Sequence, residues 1–242
     1  MRVFQWRFAA TACVLLLAVA IVRLLWYPGV YFSIAGVAKP VLILVAINMI
    51  IGPGLSAFVY KPGKSSLALD FSILAVIEVV ALVLAMSAIY ARRPFYTVYA
   101  VDRFEVVTQN EVDAAQIGYP GLRIRPGFEP RLVYAQMPQG EALQQLIDET
   151  VFEGKKDIER RPEFWKPYTA GIPTLKAAAK PLENLLSGDA DRAGHVQRWM
   201  SQQGGSLRDF LYLPLRGKSG DAAMILHADI GYPVDIIDVD PW

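Results

Sequence analysis

The chain has 242 residues, a formal net charge of +1, 54% hydrophobic and 19% charged residues, and a mean hydropathy of +0.31. Soluble domains carry roughly 25% charged residues, so this composition excludes an ordinary soluble protein. The even charge balance excludes the basic stripe of a nucleic-acid binder, and no nucleic-acid partner is expected.

The apolar weight lies in residues 1–90, which hold six bases and two acids, a net of +4; residues 91–242 hold 18 bases and 21 acids, a net of −3. These are the expected domains. Residues 8–26, 41–60 and 69–90 are each long and apolar enough for a hydrocarbon core of roughly 30 Å, which takes about 20 residues of helix. Ala18-Val19-Ala20 resembles a signal-peptide cleavage site. The first run exceeds the roughly 15 residues of a signal core, however, so an uncleaved first helix is expected. The single cysteine, Cys13, lies inside it as a packing residue and permits no intramolecular disulfide.

Between the first two spans, Trp26-Tyr27-Pro28-Gly29-Val30-Tyr31-Phe32 places four aromatic rings around a Pro-Gly turn. Amphipathic aromatics collect at bilayer interfaces and Pro-Gly punctuates helices, so the block reads as a membrane-surface turn. Bases near span ends stay cytoplasmic. Arg2, Arg7, Lys61 and Lys64 fall on one side and only Lys39 on the other. The amino terminus is therefore expected in the cytoplasm and residues 91–242 in a bacterial periplasm, with Arg92 and Arg93 running against the bias. Arg23 is expected to snorkel to the outer surface.

Polar residues also enter the spans. Glu78 lies near the middle of the third, where an ionised side chain costs at least ~2.5 kcal/mol. Asn48 lies within the second, one turn before Gly52-Pro53-Gly54. Pro53 is expected to kink that helix, and the small residues to admit another helix closely. Glu78 and Asn48 either bond each other as internal glue or face a partner.

Residues 91–242 read as α+β. A strand is expected over 96–107, bent near Asp102-Arg103, and another over 131–137. Residues 141–152 place Leu143, Leu146, Ile147 and Val151 at helical spacing. Helices follow over 174–186, interrupted by Pro181, and over 190–203. The chain closes with strands at 210–215, 222–228 and 234–239, whose glycine-containing connections suggest an antiparallel meander. Residues 118–130 and 160–173, dense in Pro and Gly, read as loops. The fold class is three transmembrane helices followed by an α+β periplasmic domain with an antiparallel sheet.

Motifs for chemistry are sparse. His195 and His227 have no cysteine near them, so no zinc site is expected. Phosphate- and dinucleotide-binding glycine patterns are absent from the sequence, and no cofactor is expected. Asp235, Asp238 and Asp240 read as charges on an edge strand rather than calcium ligands. Nothing requires an enzyme.

Trp26-Tyr27-Pro28-Gly29 with Tyr31-Phe32, then Gly52-Pro53, Lys61-Pro62-Gly63-Lys64 and Asp70, then Val101-Asp102-Arg103-Phe104-Glu105-Val106, and finally Pro241-Trp242 resemble, in this order, the type IV pilin accessory protein family. The family carries an acid in place of Asn48, a Leu-Leu-Thr run in place of Gly54-Leu55-Ser56, and an amide in place of Glu78. The resemblance implies an inner-membrane protein that acts on the major pilin before assembly, stabilising it or tuning its assembly as a chaperone. The partners expected are membrane lipid and the major pilin, through its transmembrane helix and head. Helix contact is expected at Asn48, Gly52, Pro53, Gly54 and Glu78, with Trp26, Tyr27, Pro28, Gly29, Tyr31 and Phe32 setting depth and touching the pilin neck. Two alternatives remain at this point: a membrane-anchored sensor or enzyme whose pocket is lined by loops 118–130 and 160–173, or a structural scaffold of the pilus machine.

Overall fold

The computed structural model describes residues 2–60, 65–124, 127–187 and 189–242, with side chains from Gln5 onward. Lys61 and Lys64 of the orientation argument, and Arg125 and Pro126 of the 118–130 loop, lie outside the described residues. Contacts divide the chain into two compact units, Met1–Trp26 with Val37–Arg92, and Tyr27–Gly36 with Arg93–Trp242. This departs from the expected division into 1–90 and 91–242, because the connection between the first two spans folds with the second unit.

In chain order the helices begin with α1 (Arg2–Ile21), then a one-turn α2 (Tyr31–Ile34) in the second unit, α3 (Ala38–Met49), α4 (Leu55–Val59) and α5 (Leu67–Ala91). Among the described residues, three helices are long and apolar enough to cross a membrane: Gln5–Trp26, Ala38–Val59 and Leu67–Ala91. The middle one carries Pro53 inside a π-helical turn, Ile50–Gly54. Proline cannot donate to the ladder, and a widened turn absorbs the missing bond. The Leu55 N–H reaches back five residues to the Ile50 carbonyl, and the Ser56 hydroxyl donates to that of Gly52. The helix then runs on as α4, so the expected kink takes the form of one widened turn.

Within this unit, Thr11, Leu15, Ala18 and Val22 of the first helix and Val41, Leu44, Asn48 and Ser56 of the second are buried. On α5 the buried apolar residues are Leu74 and Ile89, and Val76, Val79, Val80 and Val83 face outward. Outward apolar side chains are what lipid requires, since the surrounding tails are as apolar as the helix. Trp26 packs edge-on against Tyr90, with ring centroids 4.9 Å apart.

The second unit is built on a mixed eight-stranded sheet. Its strands are β1 (Pro94–Ala100), β2 (Arg103–Thr108), β3 (Arg131–Ala135), β4 (Trp165–Pro167), β5 (Lys180–Pro181), β6 (Phe210–Arg216), β7 (Asp221–His227) and β8 (Pro233–Ile237). Their order is β4-β3-β1-β2-β6-β7-β8, with β5 pairing β6. The closing β6-β7-β8 meander is antiparallel as expected, but β1 runs parallel to β3 and β2 parallel to β6. The purely antiparallel sheet is thus corrected to a mixed one.

The single strand expected over 96–107 is a hairpin, β1 to β2, reversing at Val101-Asp102. Val101 takes φ +58°, rare for a β-branched residue, and accepts a hydrogen bond from the Tyr99 hydroxyl at 2.9 Å. The expected 174–186 helix is α7 (Ile172–Ala178), ending before Pro181, followed by β5 and a 3-10 turn at Leu182–Leu186. The other helices are α6 (Glu141–Val151) and α8 (Ala190–Gln203). On α6, Leu146 is buried but Ile147 and Val151 are exposed, and Glu149 takes an inward position beside Arg161 and Lys155. Those two cations and a hydrogen bond from Gln145 hold the Glu149 carboxyl down at about 2, the Gln145 bond contributing most.

One face of the sheet is covered by residues 27–36. Tyr31 and Ile34 enter a core with Tyr99, Phe104, Tyr168, Leu213 and Leu215. The Tyr31 hydroxyl is 2.8 Å from that of the fully buried Thr97, and the Ser219 N–H donates to the Ile34 carbonyl at 2.8 Å. Gly217 in the β6–β7 turn lies so close that a Cβ there would overlap the Ile34 backbone and come within 2.6 Å of its Cβ. Gly217→Ala is therefore expected to cost about 1–3 kcal/mol and lower the thermal midpoint by several degrees. Gly220→Ala in the same turn, with open space around it, should stay within about 0.5 kcal/mol of the parent.

Candidate functional site

Glu78 demands partners wherever lipid excludes water. It has two on α1: the Thr11 hydroxyl donates to Oε1 at 2.6 Å, and Arg7 Nη2 meets Oε2 at 3.4 Å. The Arg7 guanidinium also lies 5.2 Å from the centre of the Phe71 ring. Gly52 on the middle span makes room for this group, since a Cβ there would sit 2.5 Å from Glu78 Oε1 and 2.8 Å from Thr11 Oγ1. The close approach expected at Gly52 is thus filled from within the unit. Gly54 is roomier, with its nearest neighbour, the Met49 carbonyl, at 3.6 Å.

Asn48 is 2% exposed. Its Nδ2 donates to the Leu44 carbonyl at 2.9 Å, one turn back, and among the described residues its Oδ1 has no hydrogen-bond partner. The direct Glu78–Asn48 bond weighed from the sequence is replaced by two separate arrangements around one cavity of about 260 Å³. Arg7, Thr11 and Val14 line it from α1, Glu78 and Val79 from α5, and Asn48 from α3. Val14 and Val79 are exposed, so the cavity opens sideways between α1 and α5.

The aromatic block is split. Trp26 stays with the helices against Tyr90, whereas Tyr27 and Tyr31 are buried in the second unit. Pro28 and Phe32 are half-buried there, and Gly29 is exposed at φ +56°, a conformation glycine adopts without strain. The membrane-surface turn read from the sequence is largely a core element of the sheet unit.

Arg7 and Thr11 escaped sequence reasoning. Arg7 reads as a cytoplasmic flanking charge, and its partner stands 71 positions away. The structure also joins two motif blocks in the second unit. The Trp242 indole lies 5.6 Å from the guanidinium carbons of both Arg103 and Arg216 and donates to Asp221 at 2.7 Å. Beneath it Glu105 meets Arg103 at 3.7 Å, Arg216 at 3.8 Å and Arg160 at 3.9 Å. Burial pushes the Glu105 carboxyl up, helped by Glu159 and opposed by the three arginines.

Gly52→Ala is expected to displace the Glu78 carboxylate and lower the thermal midpoint of the detergent-solubilised protein, at a cost of about 1–3 kcal/mol. Gly54→Ala should leave the midpoint unchanged.

No family model matches the chain, and no solved structure matches it. It is 26% identical over 213 residues to the fimbrial assembly protein, serogroup I, of Dichelobacter nodosus, covering 86% of this chain and 82% of the relative. It is 25% identical over 213 residues, with the same coverage, to the serogroup E1 fimbrial assembly protein of that organism. The protein of serogroups C1 and C2 is 26% identical over 107 residues, 43% of this chain and 82% of the relative. These likenesses are consistent with the type IV pilus accessory family that the motif order resembles.

Proposed function

We propose that this protein acts in type IV pilus assembly, binding the major pilin in the inner membrane and stabilising it or tuning its incorporation into pili. Similarity to fimbrial assembly proteins over most of both chains supports the pilus role. The observation that carries the finer reading is the mostly apolar cavity between α1 and α5, open sideways where a pilin helix would lie. An unassembled pilin waits with one long apolar helix in the bilayer. A partner for it needs a lateral groove rather than an aqueous pocket, and the exposed Val14 and Val79 at the cavity mouth meet that need.

Deletion of the protein should lower unassembled pilin and reduce surface pili, measured by immunoblot and electron microscopy. Normal pilin level and pilus number would overturn the chaperone reading.

In this reading the amino terminus is cytoplasmic and the sheet unit periplasmic, supported by Arg2 ahead of the first span and by Lys61 and Lys64 after the second. An alkaline phosphatase reporter fused after Trp242 should be active, and cytoplasmic-reporter activity there would sink this orientation.

A further inference from the structure

We infer that the outer face of α6 (Glu141–Val151) docks a protein segment that presents a lysine or arginine between apolar side chains. This surface belongs to the sheet unit, and the inference stands whether or not the α1–α5 cavity seats a pilin helix.

The inner face of α6 is already occupied. Leu146 is buried in the core with Leu143 packed against it, and Glu149 meets Arg161 at 2.7 Å and Lys155 at 3.1 Å. A surface helix is ordinarily polar on its remaining arc. Here Ile147 is 51% exposed, Val151 65% and Phe152 80%. The Phe152 N–H donates to the Asp148 carbonyl at 2.8 Å, so Phe152 prolongs the helical path by a residue. At about 3.6 residues per turn, Asp148 then falls between Val151 on one side and Phe152 on the other, with Ile147 a turn before Val151.

The charge on this face has one sign. A shallow concavity along it is lined by Glu141, Gln144, Gln145, Asp148, Glu149 and Glu153, with no base. Lys155 and Arg161 answer Glu149, and Lys155 also answers Glu153 at 3.2 Å, but among the described residues no ion pair answers Glu141 or Asp148. Asp148 stands in the last turn of α6, which holds no base and where the negative end of the helix dipole disfavours an acid. Its charge therefore does not serve the helix. Exposed apolar side chains rimmed by polar ones mark a binding surface for a protein or a membrane. The acids decide between them, because anionic lipid is repelled by such a rim and a basic protein segment is drawn to it. A base over Asp148, with apolar side chains against Val151 and Phe152, matches the face.

The test uses the full-length protein in phosphatidylcholine nanodiscs and two short fluorescent helical peptides, alike in a leucine stripe but carrying Lys or Glu between the leucines. By fluorescence anisotropy the Lys peptide is expected to bind about tenfold more tightly than the Glu peptide. Glu141→Lys with Asp148→Lys should reverse that order. Ile147→Ser, Val151→Ser and Phe152→Ser together should weaken the Lys peptide severalfold while the thermal midpoint holds, since all three side chains are exposed. Equal binding of the two peptides by the unaltered protein overturns the inference, as does a Lys preference that survives the charge reversal or a serine variant that binds as tightly as the parent. Equal anisotropy on empty nanodiscs would place the peptides on lipid and overturn it too. So would self-association of the unaltered protein that the serine variant loses, which would make a second copy the occupant.

Discussion

The sheet unit depends on ten residues that the chain supplies from between its first two spans. Tyr31 and Ile34 fill a core on one face of the sheet, the Tyr31 hydroxyl meets the buried Thr97, and the β6–β7 turn closes over them through Gly217 and Ser219. Without these side chains Tyr99, Phe104 and Leu215 would lose cover, and burial of each large side chain is worth about 1.5–3 kcal/mol. The chain consequently passes between its two units three times, at 26–27, 36–37 and 92–93.

The helical unit is governed by a different demand. Its acid is matched by a hydroxyl and a guanidinium on α1, with Gly52 leaving the space that the carboxylate fills. A buried ion pair offsets its own desolvation only when geometry and extra hydrogen bonds allow, and the 3.4 Å separation from Arg7 leaves the short Thr11 bond as the stronger partner. The same layer holds the half-satisfied amide of Asn48. Polar atoms in lipid are costly unless they are partnered, and side by side this unit holds an acid whose partners are in place and an amide oxygen that has none among the described residues.

Much of this architecture was legible in the residues, because it follows from local signals. Hydropathy marks the spans, the 190–203 helix agrees with α8, and the Gly-rich connections announce the β6-β7-β8 meander. The failures have physical causes. Val101-Asp102 reverses the chain with no glycine, so the hairpin lacked its usual turn chemistry. Parallel pairings such as β1 with β3 leave no mark on either strand alone. Ile147 and Val151 fit the apolar stripe of α6 yet are exposed, whereas Leu146 enters the core with Leu143 packed against it and Glu149 is buried. At the candidate site, Glu78, Asn48 and Gly52 stood out as polar or small residues in an apolar run. Arg7 and Thr11 did not, since sequence spacing does not reveal which helix faces which. Tyr27 and Tyr31 were misplaced for the same reason: an aromatic ring suits a lipid interface and a protein core alike.

Connections between helices usually drift in length among relatives because they run over the surface. The one from Tyr27 to Gly36 has lost that freedom. Its middle is fastened into a core, so a residue added or removed between Tyr31 and Ile34 would carry one of these two side chains out of its place against the sheet. The segment that looks most like a surface loop should thus be among the parts of the chain least tolerant of insertion and deletion.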